Sequence, residues 1–299
     1  AHRANAMTAG TGSMADARGV IVNFNAGSFL RESVASALQC PDVSSVVIVD
    51  NASEDSSLDF VPHDDRIQIG RNERNLGFAA ASNIGIARSS SDCVLLLNPD
   101  CRIASGTLVR LMETLFSSDR IGMVGPCLMN EDGTEQAGGR RNIPTPKLAF
   151  ARATGLSLLF PHRFKDFGLH RQPLPDAPVE VEAISGACML VRRAAIADVG
   201  PMDEGYFLHC EDLDWCMRFL QRDWKILFVP DVIAIHHKGA SSGDRVLRVE
   251  LHKHRGMVRF YKKFFLASYP RWVSLPLLAG VWLRFLLIAA RVQVARLFR

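Results

Sequence analysis

The sequence predicts an α/β protein, a mainly parallel sheet flanked by helices, with a helical extension at the C-terminal end. Three observations carry this. Apolar runs of strand length alternate with helix-length segments through the first half. The runs close on polar, oxygen-bearing residues such as Asp50-Asn51 and Asn98-Pro99-Asp100. Beyond residue 242 the chain turns basic and then strongly apolar.

Taken in order, residues 1–18 are small and polar and read as a disordered leader. Strands are expected at 20–24, 45–49, 67–69 and 93–97, and helices at 28–38 and 78–88. A short helical segment at 53–60 is expected to be capped by Ser53. A β-α-β-α rhythm builds parallel strands, because each return needs a crossover. In such sheets ligands bind beyond the carboxyl ends of the strands. Those ends carry Asn23 and Asn25, Asp50 and Asn51, a 71–78 stretch containing Asn75, Gly77 and Phe78, and the pair Asn98 and Asp100. Pro99 closes the ladder between that last pair. The second half is less regular. Residues 131–147 read as a Gly/Pro-rich flap and 171–178 as a loop. From 211 to 221, Leu213, Cys216, Met217 and Leu220 recur at helical spacing. That puts Glu211, Asp212 and Asp214 in a first turn, where the helix dipole favours each carboxylate by about 0.3–1 kcal/mol.

Composition narrows the function. The chain has 299 residues, 48% of them hydrophobic, which suits one large domain with an appendage. The formal net charge of +4 is concentrated near the C-terminus, where Glu250 is the only acidic residue after Arg245. A basic segment beside apolar sequence points to an anionic membrane surface. The body shows no aromatic and basic interleaving, so a nucleic-acid partner is not expected. The seven cysteines form no C-x-x-C pair. Cys93, Cys127 and Cys188 read as buried thiols of a reducing cytosol. No G-x-G-x-x-G or P-loop motif is present, which argues against dinucleotide oxidoreductases and P-loop NTPases.

Three groups carry chemistry. Asp100 offers a hard carboxylate and Asn98 a neutral oxygen, a set suited to Mg2+ or Mn2+ shared with diphosphate oxygens; the plainer reading is a strand-to-turn cap. Glu211 and Asp212 are candidates for a general base, because crowded carboxylates raise one another's pKa; the plainer reading is a helix N-terminus. His236 closes a strand-like run and suits a metal ligand, whereas His252 and His254 read as solvated surface.

The stretches VIVNFN, VVIVDNASEDSS, RNLGFAAASNIGIARSSSDCVLLLNPDC, ISGACMLVRRAAIADVGPMDEGYFLHCEDLDWCMR and HHKGASS follow one another in an order and spacing that resembles family 2 glycosyltransferases of the GT-A fold. Within these the chain is most similar to bacterial rhamnosyltransferases that extend lipid-linked glycans. The resemblance spans 19–242 and leaves 243–299 as a basic, amphipathic helical extension. It implies that Asn23 and Asn25 line a nucleotide pocket, that Asp50 accepts from the base, and that Asn75, Gly77, Phe78 and Asn83 shape the base and ribose side. Gly186 and Ala187 would lie near the donor sugar. Asp100, at the second position of a D-x-D motif, and His236 would hold the metal. Asp212 would be the base, with Glu211 beside it. Asn98 replaces the first aspartate of D-x-D, and FLQRDW departs from the Q-x-x-R-W signature of processive synthases, which implies single transfers. The implied reaction is inverting transfer of L-rhamnose from dTDP-L-rhamnose to a hydroxyl of a glycan or polyprenyl-linked acceptor. The rival is a nucleotide-sugar-binding scaffold without chemistry. A nucleotidyltransferase would want a triphosphate loop after the first strand, and none is present.

Residues 272–290 approach the length of a membrane span but contain Pro276 and Arg284. With Arg284, Arg291 and Arg299 on one side of a helix and Trp282, Phe285, Leu286 and Ile288 around the rest, the pattern is that of a helix lying in the membrane interface. A helix packed on the catalytic domain or on a second subunit would show the same pattern. The expectation is a cytoplasmic enzyme held peripherally on the inner face of the membrane.

Overall fold

A computed structural model describes residues 16–153, 167–237 and 246–297. Most of the leader, the 242/243 boundary and Arg299 lie outside the described residues.

The strands β1 (Ala17–Asn23), β2 (Val43–Asp50), β3 (Ile67–Arg71) and β4 (Cys93–Leu97) are linked by the helices α1 (Phe29–Leu38) and α2 (Phe78–Ala87). Next come β5 (Cys101–Ile103), α3 (Thr107–Phe116), β6 (Ile121–Met129), β7 (Arg140–Arg141) and α4 (Pro146–Ala153). The chain continues through β8 (Val179–Glu180), β9 (Ala183–Ile184), β10 (Cys188–Arg192), α5 (Arg193–Val199), α6 (Glu211–Gln221) and β11 (Lys225–His236). It ends in α7 (Val246–Phe264) and α8 (Arg271–Leu297).

The main sheet runs β3-β2-β1-β4-β10-β6-β11-β5, with β8 beside β11. The expected parallel pairing holds across β3, β2, β1 and β4. From there the sheet is mixed, because β10 runs antiparallel to both β4 and β6. β7 and β9 make a separate small antiparallel ribbon.

β4 is buried along its whole length because the sheet is covered on both faces. Leu95 and Leu97 face a core with Leu30 and Val34 of α1 and Leu108 and Leu111 of α3. Val94 and Leu96 face the opposite core with Ala79 and Ile86 of α2 and Trp215 and Phe219 of α6. That split follows from the two-residue period of a strand. Truncating any one of these leucines to alanine would cost about 2–5 kcal/mol.

Four expectations are corrected. Ser53 does not cap a helix: the helical turn is a single 3-10 turn at Ser57–Phe60, and the Ser53 hydroxyl accepts from Asn23 and Asn25 instead. The 131–147 stretch is not a free flap, since Gln136 and Arg140 are buried at 4% exposure and Arg140 pairs with Glu135. His254 is fully buried, donates from Nδ1 to the Glu250 carbonyl and accepts from Arg284, while the His252 ring stacks on Phe207. Arg284 therefore faces α7 and is not turned to a headgroup layer. All seven cysteines are free and buried, as expected for Cys93, Cys127 and Cys188.

Candidate active site

Parallel register places Asn23 directly beside Asp50, and Ile21 beside Leu97, so three strands end on one rim. The Asn23 amide lies 2.7 Å from Asp50 Oδ1 and within 3.0 Å of the Ser53 and Ser57 hydroxyls. Asp50 Oδ2 accepts from the Ser53 backbone N–H. The carboxylate is thus braced from inside the protein and keeps lone pairs for a further donor. Asn25, in the left-handed region at φ 52°, accepts at Oδ1 from the Glu54 N–H and so ties the first two rim loops together.

Asn51, read from sequence only as part of a polar strand end, organises the next loop. Its amide donates to Asn75 Oδ1 and the Gly77 carbonyl, and its Oδ1 accepts from Asn72 and the Leu76 N–H. Gly77 sits at φ 87°, ψ 172°, a conformation open to glycine alone, and a Cβ there would stand 2.5 Å from the Phe207 carbonyl oxygen. That close approach lets the Phe78 N–H donate to the same carbonyl. Asn83 is placed elsewhere. Both ends of its amide are used on the Met202 backbone, and its nitrogen also reaches Glu204.

Asn98, Asp100 and His236 converge. His236 Nε2 lies 3.2 Å from Asp100 Oδ1 and 3.4 Å from the Asn98 amide nitrogen. Gln136 sets the ring: its amide nitrogen donates to Asn130 Oδ1 and the His236 carbonyl, which leaves Oε1 to accept from His236 Nδ1 at 2.6 Å. Nδ1–H is thereby spent and Nε2 is turned toward Asp100; a hydrogen bond on one ring nitrogen that orients the other is what prepares a histidine for a metal. Asn98 Oδ1 is buried without a partner. A hard carboxylate, an oriented imidazole and an orphaned amide oxygen fit a divalent cation that takes its other ligands from a diphosphate. Among the described residues no three His, Cys, Asp or Glu side chains cluster into a protein-only metal site.

The Asn98 backbone N–H donates to the Ala187 carbonyl, joining this corner to the β9–β10 connection. One residue back, the Gly186 N–H donates to Asp212 Oδ2, and a Cβ on Gly186 would touch both Asp212 and Phe78. Asp212 lies in the first turn of α6, which Glu211 opens behind two residues in the left-handed region, His209 and Cys210, a strained approach of the sort that collects at functional sites. Its Oδ2 takes a 2.5 Å hydrogen bond from Arg141, and its Oδ1 accepts from the Leu213 N–H. Burial alone would raise the Asp212 pKa; the Arg141 charge and these donors outweigh it and hold the carboxyl below its ordinary value. Burial, with the Asp212 charge second, pushes Glu211 up to about 8, and Glu211 Oε2 is buried without a partner. Asp214 is a brace, fully buried between Arg218 and Lys263. Arg141 was not found from sequence. Its only local signal was a doubled arginine in a glycine-rich stretch.

A polar rim at the carboxyl ends of parallel strands, a cation corner and a carboxylate pair define a GT-A glycosyltransferase. The profile of glycosyl transferase family 2 matches residues 20–200, and the chain belongs to that family. It is 28% identical to N-acetylglucosaminyl-diphospho-decaprenol L-rhamnosyltransferase of Mycobacterium tuberculosis (strain ATCC 25618 / H37Rv), over 75% of this chain and 76% of the relative. It is 22% identical to dTDP-rhamnosyl transferase RfbF of Shigella flexneri, over 73% and 67%. Among solved structures, mannosyltransferase PcManGT from Pyrobaculum calidifontis, in complex with GDP-Man and Mn2+, shares the fold at TM-score 0.57 and 14% identity, over 95% of this chain and 80% of that one. GalNAc-T7 with UDP, GalNAc and Mn2+ matches at TM-score 0.59 and 18% identity, over 84% of this chain; the chain spans about half the length of that protein, 48%.

Proposed function

We propose that this enzyme transfers L-rhamnose from dTDP-L-rhamnose, with inversion, to a hydroxyl of a polyprenyl-linked glycan at the cytoplasmic face of the membrane. The observation that carries the transferase reading is the continuous path from Asp100 and His236 through Asn98, Ala187 and Gly186 to Asp212. It supports a reading in which leaving-group chemistry and proton chemistry lie on either side of one glycine. The rhamnosyl donor and the lipid-borne acceptor rest on what the relatives from M. tuberculosis and S. flexneri are named for.

The chain's own residues divide the work. Asn23, Asp50, Asn75 and Phe78 hold the nucleotide. Bound Mg2+ or Mn2+ would neutralise charge on the leaving diphosphate, and Asp100 and His236, with Asn98 beside them, are the residues that would hold it. Asp212, kept ionised by Arg141, takes the acceptor hydroxyl's proton as that oxygen attacks the anomeric carbon from the face opposite the diphosphate. Glu211, its pKa raised by burial and by the Asp212 charge, would offer a hydrogen-bond donor to the same site. Asp212→Asn tests this reading: dTDP-rhamnose binding should stay within about twofold, while turnover drops at least about 100-fold. Near-normal turnover would overturn the base assignment. Absence of transfer or donor hydrolysis by the native enzyme, with Mn2+ present, would leave the scaffold reading.

α8 supports attachment at the membrane surface. Within Arg271–Ala295 an 18-residue window reaches mean hydropathy 2.0, and the helix is long and apolar enough to cross a bilayer. Its first half, however, lies along α7: Tyr261 donates to the Ser274 hydroxyl, and the His254 and Phe285 rings meet at 5.5 Å. A spanning α8 would drag Arg255, Arg259 and Lys262 of α7 to hydrocarbon depth. The turns beyond Phe285 reach only about 18 Å, short of a hydrocarbon core of about 30 Å. Trp272, Leu275, Leu283, Leu286 and Leu287 are exposed. A helix lying in the interface buries them without moving those charges.

A further inference from the structure

We propose that the cleft between α7 and α8 binds the phosphate headgroup of an anionic phospholipid. The cleft holds about 500 Å3 and is lined by Arg255, Arg259, Lys262 and Lys263 of α7, by Trp282 of α8 and by Asp203. Arg255, Arg259 and Lys262 recur at four and three residues, so they share one face of α7. Asp203 is the one acid in the lining, and it is spent. It pairs with Arg259 at 2.8 Å and Lys263 at 2.7 Å; burial would raise its pKa, but these two cations bring it down to about 2. Arg255 and Lys262 have no such partner among the described residues and are exposed. Two uncompensated cations therefore face an aromatic wall, a composition that suits one phosphodiester better than a protein surface.

The wall favours a lipid over a free anion. Trp282 is 37% exposed, and an indole with one apolar and one polar edge settles at headgroup depth. Leu283 and Leu286, close by on α8, are 58% and 61% exposed and offer acyl chains a surface leading out of the cleft. Asp203 also ties the cleft to the catalytic domain, because Lys263 bridges it to Asp214 of α6. A headgroup held here would seat the domain at a fixed height over the bilayer.

The inference rests on the membrane reading above, and the test separates the two. Full-length protein is sedimented at low salt with phosphatidylcholine vesicles, with and without phosphatidylglycerol. Wild type should partition onto the phosphatidylglycerol vesicles. Arg255→Gln with Lys262→Gln should lose about 30-fold, and Trp282→Ala should also weaken binding. Arg120→Gln with Arg222→Gln, which removes the same charge outside the cleft, should change little, and excess inorganic phosphate should not release the protein. Unchanged nucleotide-induced thermal shifts would show the variants folded. Equal losses in both double variants would mean diffuse attraction and overturn the site. So would wild-type partitioning of Arg255→Gln with Lys262→Gln, or release by inorganic phosphate. No binding of wild type to either vesicle would overturn the membrane reading itself and this inference with it.

Discussion

Replacing Glu211 with Gln should stabilise the protein and leave its turnover near wild type at pH 7. Glu211 is buried, its Oε2 has no partner, and burial with the neighbouring Asp212 charge raises its pKa to about 8. In the unfolded chain the group releases its proton near the ordinary glutamate value of 4.5. Between those two values the native state holds a proton that the unfolded chain has lost. Native stability therefore falls with pH across that window, by about 1.4 kcal/mol per unit. By pH 7 the loss is on the order of 3 kcal/mol. Gln has no proton to lose, so the variant should gain on wild type steadily as pH rises toward 8 and hold a constant margin above it. Urea denaturation at a series of pH values from 5 to 9 measures the margin directly.

Activity should follow the same proton. With its pKa raised to about 8, Glu211 is mostly protonated at pH 7 and mostly ionised at pH 9. Wild-type turnover should fall above pH 8, whereas Glu211→Gln, which keeps a hydrogen-bond donor at all pH values, should lose that alkaline limb. A hundred-fold loss of turnover in Glu211→Gln, with donor binding intact, would refute the reasoning and make Glu211 the proton acceptor. So would a stability margin that does not grow with pH.

Two further outcomes test the rim. Gly77→Ala should destabilise the native state by about 1–3 kcal/mol, because its backbone conformation excludes a Cβ and the Phe207 carbonyl stands in the way; urea denaturation with and without dTDP reads the cost and the loosened nucleotide loop. Gln136→Leu removes the acceptor that holds His236 Nδ1, and should weaken Mn2+ binding in the presence of dTDP by about 10–100-fold by calorimetry, with the fold retained.

Much of the fold was legible because burial writes a period into the chain. β4 and α6 lie at 93–97 and 211–221, where apolar runs and helical spacing put them. What could not be read was partnership across the sequence. Arg141 reaches Asp212 over 71 positions and Gln136 reaches His236 over 100, out of a stretch whose glycines and prolines signal only a loop. Asn83 is the converse case. A polar residue on α2 read as a nucleotide contact, yet its partners lie 119 and 121 positions away, on a loop that no local signal connects to it. His254 misled for the same reason, since its partners Arg284 and Phe285 come from a separate helix.

The rule that a polar strand end marks a ligand is therefore incomplete by itself, and hydrogen-bond accounting supplies the rest. Around this rim most polar groups satisfy one another: Asn25 with Glu54, Asn51 with Asn72 and Asn75, Asp50 with Asn23 and Ser53. Such pairs shape a pocket without needing an occupant. Asn98 Oδ1, Asn23 Oδ1, Glu211 Oε2 and Arg141 Nε are buried with no partner. Leaving a buried polar atom unpaired costs about 1–3 kcal/mol, and native structures concentrate such atoms where something else binds or reacts. Asn98 lies at the cation corner, Asn23 beside the nucleotide brace, and Glu211 and Arg141 at the carboxylate pair. Four unpaired atoms thus fall at the three places where the proposed mechanism holds leaving group, nucleotide and acceptor.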